Sequence, residues 1–397
     1  MNYSQKAKGI CPSATLAIDA KAKKMKEEGI NVIGFGAGEP DFDTPEHIKE
    51  AGIKAIREGF TKYTPASGIL QLKEAVCRKL KRDNGIEYNA SQIVISNGAK
   101  HSLSNVFQAI LNPQDEVILP VPYWVSYPEM IKMADGKIVL LETSEKNGFK
   151  FTSEQLLSKI SPKTKALVLN SPSNPTGMVY SKEELLKIAE IAVEKGFIVI
   201  SDEIYEELIY DRIKHTSIAS LGEEIKEQTV IVNGLSKAYS MTGWRIGYTA
   251  SNQEIAKIMA NVQSHATSNP NSIAQKAAVA ALDGPKQEIE IMRNEYIKRR
   301  NYMVEKINSI PGLSCLKPEG AFYVMINISK LIGKSFNGTI IKGSDSFAEL
   351  LLEKAEVAVV PGSGFGIEGY VRLSYATSME NISEGLSRIE KFVQGIK

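Results

Sequence analysis

The sequence predicts an α/β protein in which a large, mostly parallel seven-stranded sheet is followed by a smaller α+β domain. Seven short apolar runs indicate the sheet, because each is continuous rather than alternating, as in strands buried on both faces. Helical periodicities between several of the runs are typical of a doubly wound sheet covered by helices. The runs lie at 93–96, 116–119, 138–141, 166–169, 197–200, 229–232 and 246–250.

Helical periodicity occupies intervals between these strands and continues after them. It predicts helices at 102–111, 182–195, 254–264 and 273–282. A longer charged helical stretch, 286–308, is closed by Pro311-Gly312, and its length predicts a connector helix that leads to a second unit. The patterns beyond it predict strands at 321–327, 357–360 and 370–375 and helices near 346–355 and 380–395.

These patterns predict two domains, and a chain of 397 residues is long enough to build them. We expect a large domain at 48–285 and a second unit at 286–397 that comprises the connector helix and the small domain. We expect the N-terminal segment 1–47 to pack with the small domain.

Composition and charge argue against several other kinds of protein. A formal net charge of +2 gives no electrostatic signature of nucleic-acid or membrane-surface binding. The three cysteines form no CxxC pair and the four histidines no i, i+4 pair, so neither a disulfide framework nor a metal site is indicated. The N-terminus lacks the apolar run of a signal peptide and no stretch has membrane-spanning length, so we expect a cytoplasmic protein.

Polar residues follow five of the apolar runs directly. Ligands of open parallel sheets bind just beyond the carboxyl ends of the strands, so these side chains are expected to meet at one edge. They comprise a glycine-opened helix start, an aromatic residue, an amide, an acid and an amine: Gly98-Ala99-Lys100, Trp124, Asn174, Asp202 with Tyr205, and Lys237.

This combination matches the needs of one cofactor, pyridoxal phosphate. That cofactor requires an amine for a Schiff base, a carboxylate that keeps the ring nitrogen protonated, and a cradle for its phosphate. A donor to its phenolic oxygen and an aromatic face for stacking complete such a site. No single group is specific, but their convergence on one sheet edge is.

Several motifs then connect the chain to a known family. They are PSATLAIDAKA, GAGEPDFDTPEHI, KYTPASGI, PYWVSYPEM, NSPSNPTG, SDEIYE, LSKAYSMTGWRIGY, GAFYV and VRLSYATS. Over essentially its whole length the sequence resembles the class I aminotransferases of the fold type I superfamily, which use pyridoxal phosphate. It is most similar to the prokaryotic-type aspartate aminotransferases within that family.

The resemblance implies roles for the residues that would contact the cofactor ring. Lys237 would form the Schiff base and then move a proton between substrate and cofactor, which a desolvated amine of lowered pKa can do. Asp202 would face the pyridinium nitrogen and favour its protonated form. Tyr205 and Asn174 would donate to the phenolic oxygen, and Trp124 would stack on the ring.

The resemblance also implies how the phosphate is held and how two subunits share a site. Gly98, Ala99 and Lys100 would form the phosphate cradle with the N–H groups at a helix start, and Arg245 would add a charged planar contact. Tyr63 would reach the phosphate of the neighbouring subunit's cofactor, so we expect at least a homodimer.

Substrate contacts are implied in the same way. Arg372 would bind the substrate α-carboxylate through its guanidinium fork, and Gly38 would present backbone to the substrate. Lys100 places a cation in the first turn of a helix, against the dipole, a conflict that an anionic ligand removes. In the subgroup such a lysine contacts the distal carboxylate of a dicarboxylic substrate, and Thr15 would assist it.

We therefore expect transamination from L-aspartate to 2-oxoglutarate by a ping-pong route. Three alternatives stay open: an aminotransferase for prephenate, aromatic amino acids or alanine; a lyase that uses the same cofactor; and a cofactor-sensing transcription regulator. The regulator would need a DNA-binding module and a basic surface, and the chain has room and charge for neither. Elimination would release ammonia or a thiol without any oxo-acid acceptor.

Overall fold

The structure is a computed structural model that describes residues 3–10 and 14–397, with the side chains of 14–17 and 19 outside the description. Its strands, in chain order, are β1 Ile33–Gly34, β2 Ile93–Ser96, β3 Glu116–Val121, β4 Lys137–Glu142, β5 Thr164–Asn170, β6 Ile198–Asp202, β7 Thr229–Gly234, β8 Gly247–Ala250, β9 Ser314–Cys315, β10 Tyr323–Asn327, β11 Ser335–Phe336, β12 Thr339–Ile340, β13 Val357–Ala358, β14 Val360–Pro361 and β15 Tyr370–Ser374.

The α-helices of the described residues cover both faces of the large sheet and one side of the small one. They are α1 Gln5–Lys8, α2 Ala14–Glu27, α3 Glu46–Arg57, α4 Leu70–Lys79, α5 Ala99–Ile110, α6 Tyr127–Met133, α7 Ser153–Leu157, α8 Lys182–Lys195, α9 Glu223–Glu227, α10 Gln253–Ala266, α11 Ser272–Asp283, α12 Gln287–Ser309, α13 Ser344–Ala355 and α14 Met379–Gln394. None of them is both long and apolar enough to cross a membrane.

The predicted fold class is confirmed by a seven-stranded sheet of order β2-β8-β7-β6-β5-β3-β4. All seven apolar runs are strands of this sheet. β8 is antiparallel to both of its neighbours, and the remaining neighbouring pairs are parallel. The carboxyl ends of β2, β3, β5, β6 and β7 therefore share one edge, where ligands of such sheets bind.

Successive residues of the strands face opposite helical layers, which is why the runs are continuously apolar. In β3, Val117 and Leu119 pack in a cluster with Leu103 and Phe107 of α5. Ile118 lies between them in sequence and packs in a second cluster on the other face, with residues of α8. Each layer excludes water from one side of the sheet, so alternation of apolar and polar residues would be destabilising.

Local signals set the ends of the helices beside the sheet. At the start of α8 the Ser181 hydroxyl accepts from the N–H of Glu184 at 3.2 Å, and the Glu184 carboxylate accepts from the N–H of Ser181 at 2.7 Å. This capping box satisfies two N–H groups that have no partner within the helix. Gly196 ends the helix in the left-handed conformation, with φ at 74°.

The smaller sheet is antiparallel, in the order β14-β15-β10-β9, and α12 leads into it. The chain near its N-terminus lies against this unit, because β1 pairs in parallel with β13 and the N–H of Ser374 donates to the carbonyl of Phe35 at 2.8 Å. This arrangement carries residues 36–38 across to the edge of the large sheet. The domain limits at 47 and 285 stay a prediction.

Candidate active site

A cavity of about 420 Å³ lies at the carboxyl edge of the large sheet and is closed on one side by the small sheet. Strand ends from the large sheet supply one wall, and β10, β15 and residues 37–39 supply the other. Most of the residues predicted from the sequence line it: Gly38, Ala99, Lys100, Trp124, Asn174, Asp202, Tyr205, Lys237, Arg245 and Arg372.

Lys237 extends its amine into this cavity from the loop after β7. Its Nζ donates a hydrogen bond to the carbonyl oxygen of Gly38, so the amine is held by the facing wall. Burial lowers the pKa of Lys237, the Glu39 and Asp202 carboxylates oppose this effect, and the cations Arg245 and Arg372 add to it. The resulting pKa is about 8. The amine can therefore lose its proton at a pH where an exposed lysine keeps it.

Asp202 is the last residue of β6 and is 3% exposed. The Tyr127 hydroxyl donates to its Oδ2 at 2.6 Å, and the N–H of Ile204 donates to Oδ1 at 3.2 Å. Burial raises the pKa of Asp202 to about 6, although both hydrogen bonds favour the carboxylate. A buried carboxylate of this kind gains most from a cationic partner inside the cavity.

The start of α5 forms an anion site beside Arg245. Gly98 precedes the helix with φ at 86°, and a Cβ at this position would collide with the Arg245 guanidinium. That guanidinium donates to the carbonyl oxygens of Thr242 at 2.8 Å and Asn97 at 3.2 Å. The first N–H groups of a helix have no acceptor within it, so Ala99 and Lys100 direct donors toward the same space.

Arg372 provides a second cationic group on the opposite wall. It lies in β15, is 2% exposed, and donates from Nη1 to Asn174 Oδ1 at 2.9 Å and from Nη2 to the Gly36 carbonyl at 2.8 Å. Its guanidinium lies over the rings of Tyr323 and Phe365, at 4.3 and 5.0 Å from their centroids. A guanidinium fixed in this way is suited to bind a carboxylate through two parallel hydrogen bonds.

Lys100 and Trp124 form a pair on the large-sheet side. Lys100 Nζ lies 5.0 Å from the centre of the indole ring. Burial lowers the pKa of Lys100, and the nearby Arg245 guanidinium lowers it further. Besides the Lys237 amine and the Arg245 guanidinium beside α5, the cavity thus contains one basic side chain on each wall, Arg372 and Lys100.

Two tyrosines in the cavity had no role assigned from the sequence. Tyr127 follows Trp124 in the motif PYWVSYPEM and contacts it edge to face, with the ring centres 5.3 Å apart. Tyr323 belongs to GAFYV, and its hydroxyl lies 2.8 Å from the hydroxyl of Tyr205. Both motifs were visible in the sequence, but nothing in their spacing indicated which polar group each hydroxyl would meet.

Residues 30–389 match the family described as Aminotransferase class I and II. The chain belongs to this family. It is 52% identical over 394 residues to aspartate aminotransferase of Bacillus subtilis (strain 168), with 99% of each chain covered. It is 50% identical to a probable aspartate/prephenate aminotransferase of Aquifex aeolicus (strain VF5), with 97% of each covered. A solved aspartate aminotransferase from Thermus thermophilus with maleate is 44% identical, with a TM-score of 0.93, covering 99% of this chain and 100% of that one.

The predicted family and enzyme class are thus confirmed, and the protein is an aminotransferase. Three of the predicted site residues are not among those that line this cavity. Gly98 immediately precedes α5, beside the Arg245 guanidinium. Tyr63 lies in the loop before α4 and is 91% exposed, away from the cavity of its own chain. Thr15 lies within α2, and its side chain is outside the described residues.

A cluster of buried charged residues lies outside the cavity lining. Glu203 accepts from His215 at 3.0 Å and from Ser217 at 2.7 Å, and Glu206 accepts from the Lys79 amine and from Asn233. Glu203, Glu206 and His215 lie close enough together to hold a metal ion. The Lys79 ammonium already neutralises Glu206, so the geometry favours a structural ion-pair network.

Proposed function

We propose that the protein uses pyridoxal phosphate to transfer the amino group of L-aspartate to 2-oxoglutarate, giving oxaloacetate and L-glutamate in two half-reactions. One observation supports this above all: the Lys237 amine of lowered pKa lines the same cavity as two cations, Arg372 and Lys100. A dicarboxylic amino acid presents two carboxylates, which complement these two cations in charge, and one amino group, which is the group to be transferred.

The residues of the cavity fit the cofactor. Lys237 would hold its aldehyde carbon, Asp202 its ring nitrogen, and the N-terminus of α5 with Arg245 its phosphate. The absence of a side chain at Gly98 supports the phosphate assignment, because a Cβ there would fill the space that Arg245 occupies. When bound, pyridoxal phosphate supplies a ring that withdraws electrons from the substrate Cα.

Each side chain then has a distinct task. Lys237 takes a proton from the substrate Cα, a role that requires a neutral amine and therefore suits a pKa of about 8. Asp202 keeps a proton on the ring nitrogen by electrostatic attraction. Its rigid hydrogen bond from Tyr127 holds the carboxylate in place without reorganisation.

Arg372 and Lys100 orient the substrate between them. Arg372 would bind the α-carboxylate, since its guanidinium is fixed by Asn174, the Gly36 carbonyl and the ring of Tyr323. Lys100, over Trp124, would bind the distal carboxylate. Maleate, the dicarboxylate of the T. thermophilus structure, has the same spacing of charges as aspartate and supports this assignment.

We further propose a homodimer in which each site receives one residue from the other subunit. Tyr63 supports this, because a tyrosine that is 91% exposed leaves its ring and hydroxyl available to a second copy of the chain. The phosphate of the second subunit's cofactor would accept its hydrogen bond.

A second activity, toward prephenate, is favoured by one observation. The A. aeolicus relative, which is 50% identical, is named for both aspartate and prephenate. Prephenate also carries two carboxylates, so the same pair of cations would bind it. Aspartate is the preferred proposal because the B. subtilis relative, which is 52% identical, is named for aspartate alone.

Single half-reactions test these proposals. The purified yellow enzyme is mixed with one amino donor at a time and its visible spectrum is followed, with Lys237→Ala as the unreactive control. Aspartate and glutamate are expected to convert the cofactor to its amine form. Conversion by phenylalanine or by the amino acid formed from prephenate, together with none by aspartate, would overturn the aspartate assignment.

A further inference from the structure

Tyr323 contacts both Tyr205, which would donate to the cofactor, and Arg372, which would bind the substrate α-carboxylate. It lies on β10, is 1% exposed, and its hydroxyl is 2.8 Å from that of Tyr205. Its ring lies under the Arg372 guanidinium, 4.3 Å from centroid to carbon. Tyr205 follows a strand of the large sheet, whereas Tyr323 and Arg372 belong to the small sheet.

The neighbours of Tyr323 restrict the position of its ring and hydroxyl. β10 and β15 pair so that Tyr323 lies opposite Ser374 and Arg372 lies opposite Met325, one pleat away. Phe322 contacts the Tyr323 ring with centroids 4.8 Å apart. A Cβ added at Gly38 would lie 3.0 Å from the Tyr323 oxygen, so backbone limits the hydroxyl on that side. The hydroxyl therefore has little freedom to leave Tyr205.

We propose that Tyr323 is a positioning residue whose hydroxyl orients the Tyr205 phenol toward the cofactor. This inference rests on the proposed function, in which Tyr205 donates to the phenolic oxygen of pyridoxal phosphate. Tyr205 has a single hydroxyl proton, and the Tyr323 hydroxyl can donate to the remaining lone pairs of the Tyr205 oxygen. A hydrogen bond received by Tyr205 strengthens the one it gives.

The hydrogen bond explains why a phenol, rather than phenylalanine, stands at this position. The ring alone would suffice to stack on Arg372. A buried hydroxyl without a partner would be costly, and Tyr205 is the partner that it has. Removal of the Tyr323 oxygen alone therefore separates the orienting role from the packing role.

The test compares Tyr323→Phe with the matched control Tyr296→Phe in the cofactor-loaded enzyme. Tyr296 belongs to the same buried aromatic cluster, contacting Phe322, and its hydroxyl has no hydrogen-bond partner among the described residues. The primary measurement is the pKa of the visible absorption band of the bound cofactor, which does not depend on turnover. Melting temperatures of both variants show whether each is folded.

Tyr323→Phe is expected to raise this spectroscopic pKa by about 0.5, because a weaker bond from Tyr205 stabilises the cofactor's phenolate oxygen less. It should lower kcat several-fold with KM for aspartate unchanged, whereas Tyr296→Phe should alter neither. In a Tyr205→Phe background the additional change Tyr323→Phe should have no further effect on the band.

An unchanged band in Tyr323→Phe, or an equal shift in the Tyr205→Phe background, would overturn the inference. A Tyr323→Phe variant that does not fold would also overturn it, because the oxygen would then have a structural role. The proposed function fails in a different way, if the wild-type protein shows no cofactor band or no conversion by aspartate. The two failures are therefore distinguishable.

Discussion

The hydroxyl of Tyr127 donates a hydrogen bond to Oδ2 of Asp202 at 2.6 Å, and both groups are buried. The tyrosine is the first residue of α6, and the aspartate ends β6. A short hydrogen bond to an ionised oxygen is roughly twice as strong as one between neutral groups. It opposes burial, which raises the pKa of Asp202 to about 6.

Tyr127→Phe is therefore expected to raise the pKa of Asp202 in the cofactor-free protein. A protonated Asp202 cannot attract a ring proton, so cofactor affinity should fall about tenfold, equal to about 1.4 kcal/mol, near pH 7. At pH 9 Asp202 is ionised in both the variant and the wild type, so the loss of cofactor affinity should be smaller there. Equilibrium dialysis of pyridoxal phosphate at both pH values measures this. Equal affinities for variant and wild type would contradict it.

Arg372→Lys is expected to weaken substrate binding strongly. Lysine keeps the charge but cannot form two parallel hydrogen bonds or keep the planar stack on Tyr323. A loss of about 3 kcal/mol, or roughly hundredfold in kcat/KM, follows for every amino acid donor. Steady-state kinetics with aspartate and phenylalanine measure it.

Arg300→Lys is the matched control for that change. Arg300 is also fully buried, but it donates to Asp211 and the Pro318 carbonyl, outside the cavity. It should lower the melting temperature and leave KM unchanged. A loss of kcat/KM as large as that of Arg372→Lys would show that buried cations affect the site only through stability.

Lys100→Met is expected to discriminate among substrates. Methionine keeps an unbranched apolar chain over Trp124 and removes the charge. The kcat/KM for aspartate should fall between about tenfold and hundredfold, as for one charged hydrogen bond, with less than about threefold change for phenylalanine. Similar losses for both donors would contradict a contact with the distal carboxylate and would show that Lys100 binds the cofactor phosphate or has a structural role.

The residues at the strand ends could be predicted from the sequence, and those that orient them could not. Asp202 and Lys237 follow buried apolar runs directly, so the direction of a parallel strand places them. Tyr323 reaches the site from the small sheet, and its contact with Tyr205 depends on how the two sheets pack. The carbonyls of Gly36 and Gly38 take part through backbone, which residue type does not reveal.

The positions of the strands in the large sheet could also be predicted, but the direction of one of them could not. All seven strands were found from their apolar runs, whereas nothing in the run at 246–250 indicated that β8 is antiparallel. The direction of β8 relative to β7 depends on the connection between them, residues 235–246, and not on the composition of the strand. The helix α3, Glu46–Arg57, lies before the first strand of this sheet and was not predicted.

His215 gives a prediction for stability rather than catalysis. Burial lowers its pKa, but the carboxylates of Glu203 and Glu206 outweigh burial and the opposing Lys79, so the pKa is raised above 6.5. A raised pKa contributes stability that is complete below the unfolded value and is lost as the pH rises through the folded value. His215→Gln should therefore destabilise the protein more at pH 6 than at pH 9.

Urea unfolding at the two pH values measures this difference, with His265→Gln, a change at an exposed histidine, as the control. The control should shift the unfolding midpoint little at either pH. A destabilisation by His215→Gln that is the same at pH 6 and pH 9 would show that the histidine is buried without gaining charge.

The most direct test of the account is to locate the covalent cofactor. Borohydride reduction of the yellow protein, followed by proteolysis and mass spectrometry, fixes pyridoxal phosphate on the amine that carries it. We expect the phosphopyridoxyl group on Lys237 alone, and none on any lysine of the Lys237→Ala variant. A group on Lys100 or another lysine of the wild-type protein, or a yellow protein with no modified lysine, would contradict it.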